Sequence, residues 1–219
     1  MTDHSVESVQ QDPSVVEQYD AWARVYDWFW ARYVNQTLPV LQRAADVQAG
    51  ERGLDLACGT GELERRILEE EPRVHLTGID LAPSMVERAR VKLAGHPSVQ
   101  FEQADVHDLR FADASFDVVV CANTFHYFTH PESVLAEATR VLRPGGRLVL
   151  LDWCRDFWTC RVMDAVLKRV DPAYQTCYTL DEMRELIATT SLHSRYAFRY
   201  RFDGLWGMMV VEAVRPQSV

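Results

Sequence analysis

A chain of 219 residues with 47% hydrophobic and 25% charged side chains has the composition of an ordinary globular domain. That excludes a disordered, collagen-like or coiled-coil protein and allows one large domain with a full core. The net charge of −9, from 32 acids against 23 bases, disfavours nucleic acid as a partner, because that binding draws on Lys and Arg at phosphates.

Residues 1–13 are polar and acidic and read as a frayed tail without the apolar core of a signal peptide. No apolar run approaches the roughly 20 residues of a membrane span. The cysteines Cys58, Cys121, Cys154, Cys160 and Cys177 form no CxxC pair. They predict reduced thiols and a cytoplasmic protein.

From Ser14 to Val34 the aromatics Tyr19, Trp22, Tyr26, Phe29, Trp30 and Tyr33 recur at helical spacing. This predicts an amphipathic helix whose stripe is either core or a lid. A second helix is predicted over Leu38–Val47, ending near Gly50. Short apolar runs then alternate with helical stretches. Strands are expected at Arg52–Ala57, Val74–Ile79, Val99–Gln103, Phe116–Ala122 and Arg147–Trp153. Helices are expected at Glu62–Glu70, Pro83–Ala94 and Pro131–Leu142, the last stopping before Pro144-Gly145-Gly146. Continuous apolar runs such as FDVVVCA suit strands buried on both faces, hence a parallel sheet covered by helices.

Two more helices, Thr159–Val170 and Leu180–Thr189, precede the runs His193–Phe202 and Leu205–Val214, which join through Asp203-Gly204, a hairpin signal. The predicted fold is α/β: a Rossmann-like, seven-stranded mixed sheet, parallel with a C-terminal antiparallel hairpin. Within a single domain over 14–219, residues 14–50 form an N-terminal helical lid, 51–154 the core, 155–192 a helical cover and 193–214 the hairpin.

In open α/β sheets ligands bind beyond the carboxyl ends of the strands, where the strand order reverses. The first such end is Asp55-Leu56-Ala57-Cys58-Gly59-Thr60-Gly61. Gly59 and Gly61 remove side chains where a ligand must approach the backbone. Asp80, about 20 positions on, ends the second strand and can accept from ribose hydroxyls. A nicotinamide dinucleotide fits that spacing too. However, the third glycine of its fingerprint is replaced by Glu64, and Glu62 and Glu64 oppose a pyrophosphate at the helix start. A ribose ligand with a positively charged end, such as S-adenosylmethionine, suits the turn better.

LDLACGTGEL resembles motif I of the class I S-adenosylmethionine-dependent methyltransferases. GIDLAPSMVERAR is similar to their second strand and following helix. FEQADVHDLRFADASFDVVVCANTFHYF resembles their adenine-contacting segment and fourth strand, and RVLRPGGRLVLLDW their fifth. The resemblance covers residues 15–155. Within the class, YDAWARVYDWF and ACGTGEL are most similar to small-molecule methyltransferases, including the quinone C-methyltransferases, although Asn123–Phe128 departs from the quinone group's pattern.

The resemblance implies that Ala57, Cys58, Gly59 and Gly61 line the methionine part of the cofactor, with Asp55 near its ammonium. It implies Asp80 on the ribose, Leu81 and Met85 against the adenine, Asp105 and the Val106 amide on the adenine edge, and Asn123 beside the methionine moiety. Tyr19 and Tyr26 are candidate lid residues over the cofactor. Trp22, Trp30, Phe125, His126, Tyr127 and Trp153 are candidate acceptor contacts, and His126, Tyr26 and Asp152 candidate catalytic groups. Asp105 can equally be a turn residue, and Asp152 a helix cap. Cys154, Cys160 and Cys177 match no metal-ligand spacing, and no metal is expected. Methyl transfer to a small aromatic or apolar acceptor is implied, by a monomer or homodimer. A nicotinamide-dependent oxidoreductase and a non-catalytic relative that binds S-adenosylmethionine are the alternatives.

Overall fold

The computed structural model describes residues 31–217. Seven strands form one sheet in the order β3-β2-β1-β4-β5-β7-β6. They are β1 (Arg52–Leu56), β2 (His75–Asp80), β3 (Val99–Gln103), β4 (Phe116–Ala122), β5 (Leu142–Trp153), β6 (His193–Phe202) and β7 (Trp206–Val214). The helices are α1 (Ala31–Ala45), α2 (Glu62–Glu70), α3 (Pro83–Lys92), α4 (Pro131–Val141), α5 (Trp158–Val170) and α6 (Leu180–Ala188). Strands β1 to β5 pair in parallel, while β7 is antiparallel to both β5 and β6. The expected mixed sheet is therefore present.

The central strands are covered on both faces, which is why they read as unbroken apolar runs. On one face, Leu38 and Leu41 of α1, Leu63 and Ile67 of α2, and Val86 and Ala89 of α3 pack on Leu76, Val118, Val120 and Val149. On the other, Leu135 and Ala138 of α4 and Met183 and Ile187 of α6 pack on Leu54, Leu56, Val119 and Cys121.

Three expectations need correction. No break separates two N-terminal helices between Val34 and Leu38, for α1 runs through with Pro39 inside it. Proline cannot donate the amide hydrogen of that turn. Two residues earlier the hydroxyl of Thr37 donates to the Tyr33 carbonyl at 3.1 Å. Secondly, α4 passes directly into β5 at Leu142, so Pro144-Gly145-Gly146 lies within the strand. The register against β4 jumps from Phe116↔Leu142 to Val118↔Arg147, a bulge that absorbs the three residues. Gly146 is required there, since a Cβ would stand 2.9 Å from the carbonyls of Arg143 and Asp117. Thirdly, β2 starts after Val74 rather than at it, while Asp80 ends the strand as expected.

The hairpin connection is one residue longer than expected, because Phe202 pairs with Trp206 and leaves Asp203, Gly204 and Leu205 between the strands. Asp203 and Gly204 both have positive φ, 51° and 68°. Among the described residues, no helix is long and apolar enough to cross a membrane.

Candidate functional site

The strand order reverses between β1 and β4, which leave toward opposite halves of the sheet. A cleft of about 330 Å³ opens at that point. Its walls are the turn after β1 (Ala57 to Thr60), the end of β4 (Ala122 to Thr124), the start of α2, and Val34, Asn35 and Leu38 of α1.

The turn is built from left-handed residues: Ala57 at φ 64°, Gly59 at 56° and Gly61 at 76°. Ala57 and Asn123, at φ 57°, are non-glycine residues in this strained region, at the ends of the two strands that flank the cleft. The two glycines differ in use. A Cβ on Gly59 would meet nothing within 4 Å, so this position faces open space. A Cβ on Gly61 would lie 3.0 Å from the Phe101 ring and 3.1 Å from Ala89. Gly61 therefore lets the turn sit down on β3 and α3 and does not line the cleft, contrary to its expected place.

Asp80 fixes the turn from β2. Its carboxylate accepts the Gly59 amide and the Ala82 amide, both at 2.9 Å. Asp105 accepts the amide of His107 at 2.9 Å and its Nδ1 at 2.7 Å. Burial opposes this charge, but the His107 bonds hold the Asp105 carboxyl below its usual range. Leu81 is half-buried beside Asp80, whereas Met85 and Val106 are buried. Asp55 is buried under the turn, and burial raises its carboxyl well above the usual range, with Glu64 and Asp80 adding to the effect. Cys58 is likewise a buried thiol pushed up by burial and these acids.

The side chain of Asn123 is engaged with α1. It accepts from the Tyr33 hydroxyl at 2.8 Å and donates to the Thr37 hydroxyl at 3.2 Å. The Tyr33 hydroxyl in turn accepts from the Trp153 indole nitrogen at 2.7 Å. Asn123 thus lines the cleft while its amide locks the helix. Tyr33 was visible in the aromatic spacing, but nothing in that spacing showed that its hydroxyl would bridge two strand ends.

Beyond β4 the short 3₁₀ turn Phe125–Tyr127 brings His126 to Asp152 at the end of β5. His126 Nδ1 donates to Asp152 Oδ1 at 2.7 Å, while the His126 amide donates to Oδ2 at 2.9 Å. Both residues are 2% exposed. With Nδ1–H turned to the carboxylate, Nε2 is the acceptor nitrogen. The ring stacks on Trp153 at 4.3 Å and 8°, and tilts against Tyr127 at 4.5 Å and Tyr174 at 5.6 Å. Tyr174 arrives on the segment after α5, whose Gln175 and Thr176 amides donate to the His126 carbonyl. Two candidates for separate tasks, His126 and Asp152, are therefore one buried pair.

Phe125 is a correction: at 1% exposed it packs on Phe128 and Tyr178 inside the core rather than toward an acceptor. Cys160 and Cys177 are buried with Tyr174, and burial raises both thiols. Among the described residues, no group of His, Cys, Asp and Glu could hold a metal ion. Tyr19, Trp22, Tyr26 and Trp30 lie outside the described residues.

A cleft at the strand-order reversal of a Rossmann-like sheet, walled by a glycine turn that Asp80 holds from the end of β2, stands where α/β sheets of this class bind nucleosides. Residues 54–150 match the family described as a methyltransferase domain. Over 117 residues the chain is 44% identical to a demethylmenaquinone methyltransferase of Deinococcus radiodurans, covering 51% of this chain and 48% of that protein. Over 155 residues it is 34% identical to a ubiquinone/menaquinone biosynthesis C-methyltransferase of Desulfotalea psychrophila, covering 66% and 60%. The chain thus spans about half the length of the curated relatives it matches. Its fold is shared with the methyltransferase in a complex with the Haloferax volcanii Trm112 activator, at TM-score 0.83 and 22% identity, over 94% of this chain and 99% of that one. The chain is thus similar to the class I S-adenosylmethionine-dependent methyltransferases, including members of their quinone-methylating group.

Proposed function

We propose that the chain transfers a methyl group from S-adenosylmethionine to a small aromatic acceptor bearing an ionisable hydroxyl, a phenol or hydroquinone. The observation that carries the acceptor class is the buried His126–Asp152 pair beneath Trp153, Tyr127 and Tyr174. The cofactor cleft and this pair are adjacent because Ala122 to Thr124 wall the first and lead directly into the second.

When bound, S-adenosylmethionine supplies a methyl group on a sulfonium, already a reactive leaving group. The residues fit such a ligand. Gly59 leaves open space at the turn, and a carboxylate with about four acceptor positions, such as Asp80, can hold two amides and still accept from a ribose. The protein's task is alignment, which can supply about 7–11 kcal/mol of the barrier. His126 takes the acceptor's hydroxyl proton at Nε2, and Asp152 holds the ring and stabilises its charged form. The electron pair so released, on oxygen or delocalised onto a ring carbon, would be the nucleophile toward the methyl group that the bound cofactor would supply. The aromatic residues around His126 exclude water from the pair.

The test is transfer of isotope-labelled methyl from S-adenosylmethionine to a panel of phenols, hydroquinones, amines and thiols. Labelled phenols or hydroquinones are the expected result. Transfer to amines or thiols alone overturns the acceptor class. Cofactor binding without any transfer favours the non-catalytic relative, and NAD(H) binding in place of S-adenosylmethionine favours an oxidoreductase.

A further inference from the structure

Behind the glycine turn lies a pair of acids with no evident structural use. Glu64, in the first turn of α2, is 1% exposed, and both its carboxyl oxygens are buried without a hydrogen-bond partner. Asp55 on β1 is 5% exposed, with Oδ1 in the same condition. The two line a cavity of about 10 Å³ between α2 and the sheet, together with Thr77, Val118 and Val120. Packing leaves Glu64 no alternative position on the β2 side, where a Cβ on Gly78 would stand 2.5 Å from its Oε1. Asp55 also lines the cofactor cleft, so it is the wall between that cleft and the inner cavity.

Among the described residues, the charged and titratable groups that face Glu64 are Asp55 from β1, Cys58 from the turn, Asp80 from β2, Glu62 from its own helix and Lys92 from α3. From β4 come only the apolar side chains of Val118 and Val120. Lys92 is the one cation in this set, and it donates to the Thr60 hydroxyl at 3.0 Å and lies 3.5 Å from Glu62. Two adjacent buried carboxyls cannot both ionise cheaply without a cation.

We infer that Glu64 is a positioning residue of the cofactor site, which holds a proton behind Asp55 and releases it when the cofactor's ammonium settles beside Asp55. This rests on the cleft being the S-adenosylmethionine site. Burial pushes the Glu64 carboxyl up to about 8, against the pull of its own amide and Lys92. At neutral pH the pair is therefore protonated, and an arriving positive charge favours its ionised form. The proton passes to solvent. Cofactor affinity then rises with pH and levels off near 8.

Calorimetry of S-adenosylmethionine binding to the full chain at pH 7.0, below the range in which a free α-amino group titrates, tests this. Measurements in phosphate and in Tris, buffers of different ionisation enthalpy, are expected to differ by the heat of up to about one proton released per cofactor. Affinity is expected to rise several-fold between pH 6 and 7, within the limit of about tenfold per unit for one proton. Glu64→Gln is expected to release fewer protons and to show a shallower pH profile than the wild type, because burial still raises Asp55. If that variant does not fold, infrared difference spectra of the wild type decide the matter, because the protonated-carboxyl band must weaken as the cofactor binds. Binding with buffer-independent heat and an unchanged carboxyl band overturns the proton linkage and leaves the cofactor site standing. Wild-type proton release from Glu64→Gln overturns the assignment to Glu64. Failure of both S-adenosylmethionine and S-adenosylhomocysteine to bind overturns the cofactor reading and the linkage together.

Discussion

The hydroxyl of Tyr33 and the indole nitrogen of Trp153 stand 2.7 Å apart, joining α1 to the carboxyl end of β5. The same hydroxyl donates to Asn123 at the end of β4. A single oxygen thus ties one helix to both strands that lead into the His126–Asp152 pair. Trp153 is held on one edge by Tyr33, while its face stacks on His126 and on Trp206. The position of α1 and the orientation of the buried histidine are therefore one packing problem.

Tyr33→Phe keeps the ring and removes the bridge. The Trp153 donor and the Asn123 acceptor both lose a partner at a part-buried site. Leaving such groups unmade costs about 1–3 kcal/mol. Urea unfolding is expected to show a lower midpoint with an unchanged m-value, because the surface exposed on unfolding does not change.

Asp80→Ala removes the acceptor for the Gly59 and Ala82 amides as well as the proposed ribose contact. Cofactor affinity is expected to fall by about 1–3 kcal/mol, roughly 5- to 150-fold, by calorimetry. Unchanged affinity removes Asp80 from the binding site.

The strands and their order of appearance were legible because burial on both faces leaves continuous apolar runs, as in Phe116–Ala122. The glycine turn and Asp80 were legible because backbone approach and ribose recognition restrict residue type. What stayed hidden depends on contacts distant in sequence. Pro144-Gly145-Gly146 carries a loop signature, yet pairing with β4 keeps it in a strand as a bulge. Pro39 signals a break, yet packing of Leu38 and Leu41 on the sheet carries α1 through. Glu64 read only as an acid opposing a phosphate at a helix start; the fold shows it buried against Gly78.

Asp152→Asn tests the pairing at the proposed acceptor side. The carboxylate accepts three hydrogens, from His126 Nδ1, the His126 amide and the Trp153 amide. An amide in its place can turn its NH₂ toward Nδ1 and reverse the tautomer, leaving Nε2 protonated and unable to accept. Methyl transfer is expected to fall by about 10²–10⁴ in kcat, the range of a lost general base. KM for the acceptor and affinity for the cofactor are expected to stay near wild type. A loss confined to KM shows instead that the pair only shapes the acceptor site.

Folding stability should also report the buried acid at position 64. A carboxyl held at about 8 in the folded chain keeps a proton that the unfolded chain gives up near 4.3. Between these values the native state binds more protons than the unfolded state, so Glu64 makes stability fall as pH rises, and the fall ends above 8. Glu64→Gln removes this titration while keeping the shape. Urea unfolding at pH 5, 6.5 and 8 is expected to show the two proteins closest at pH 5, with the variant gaining on the wild type at each step. Parallel curves mean that Glu64 is already ionised in the folded state, with its charge matched by a cation such as Lys92.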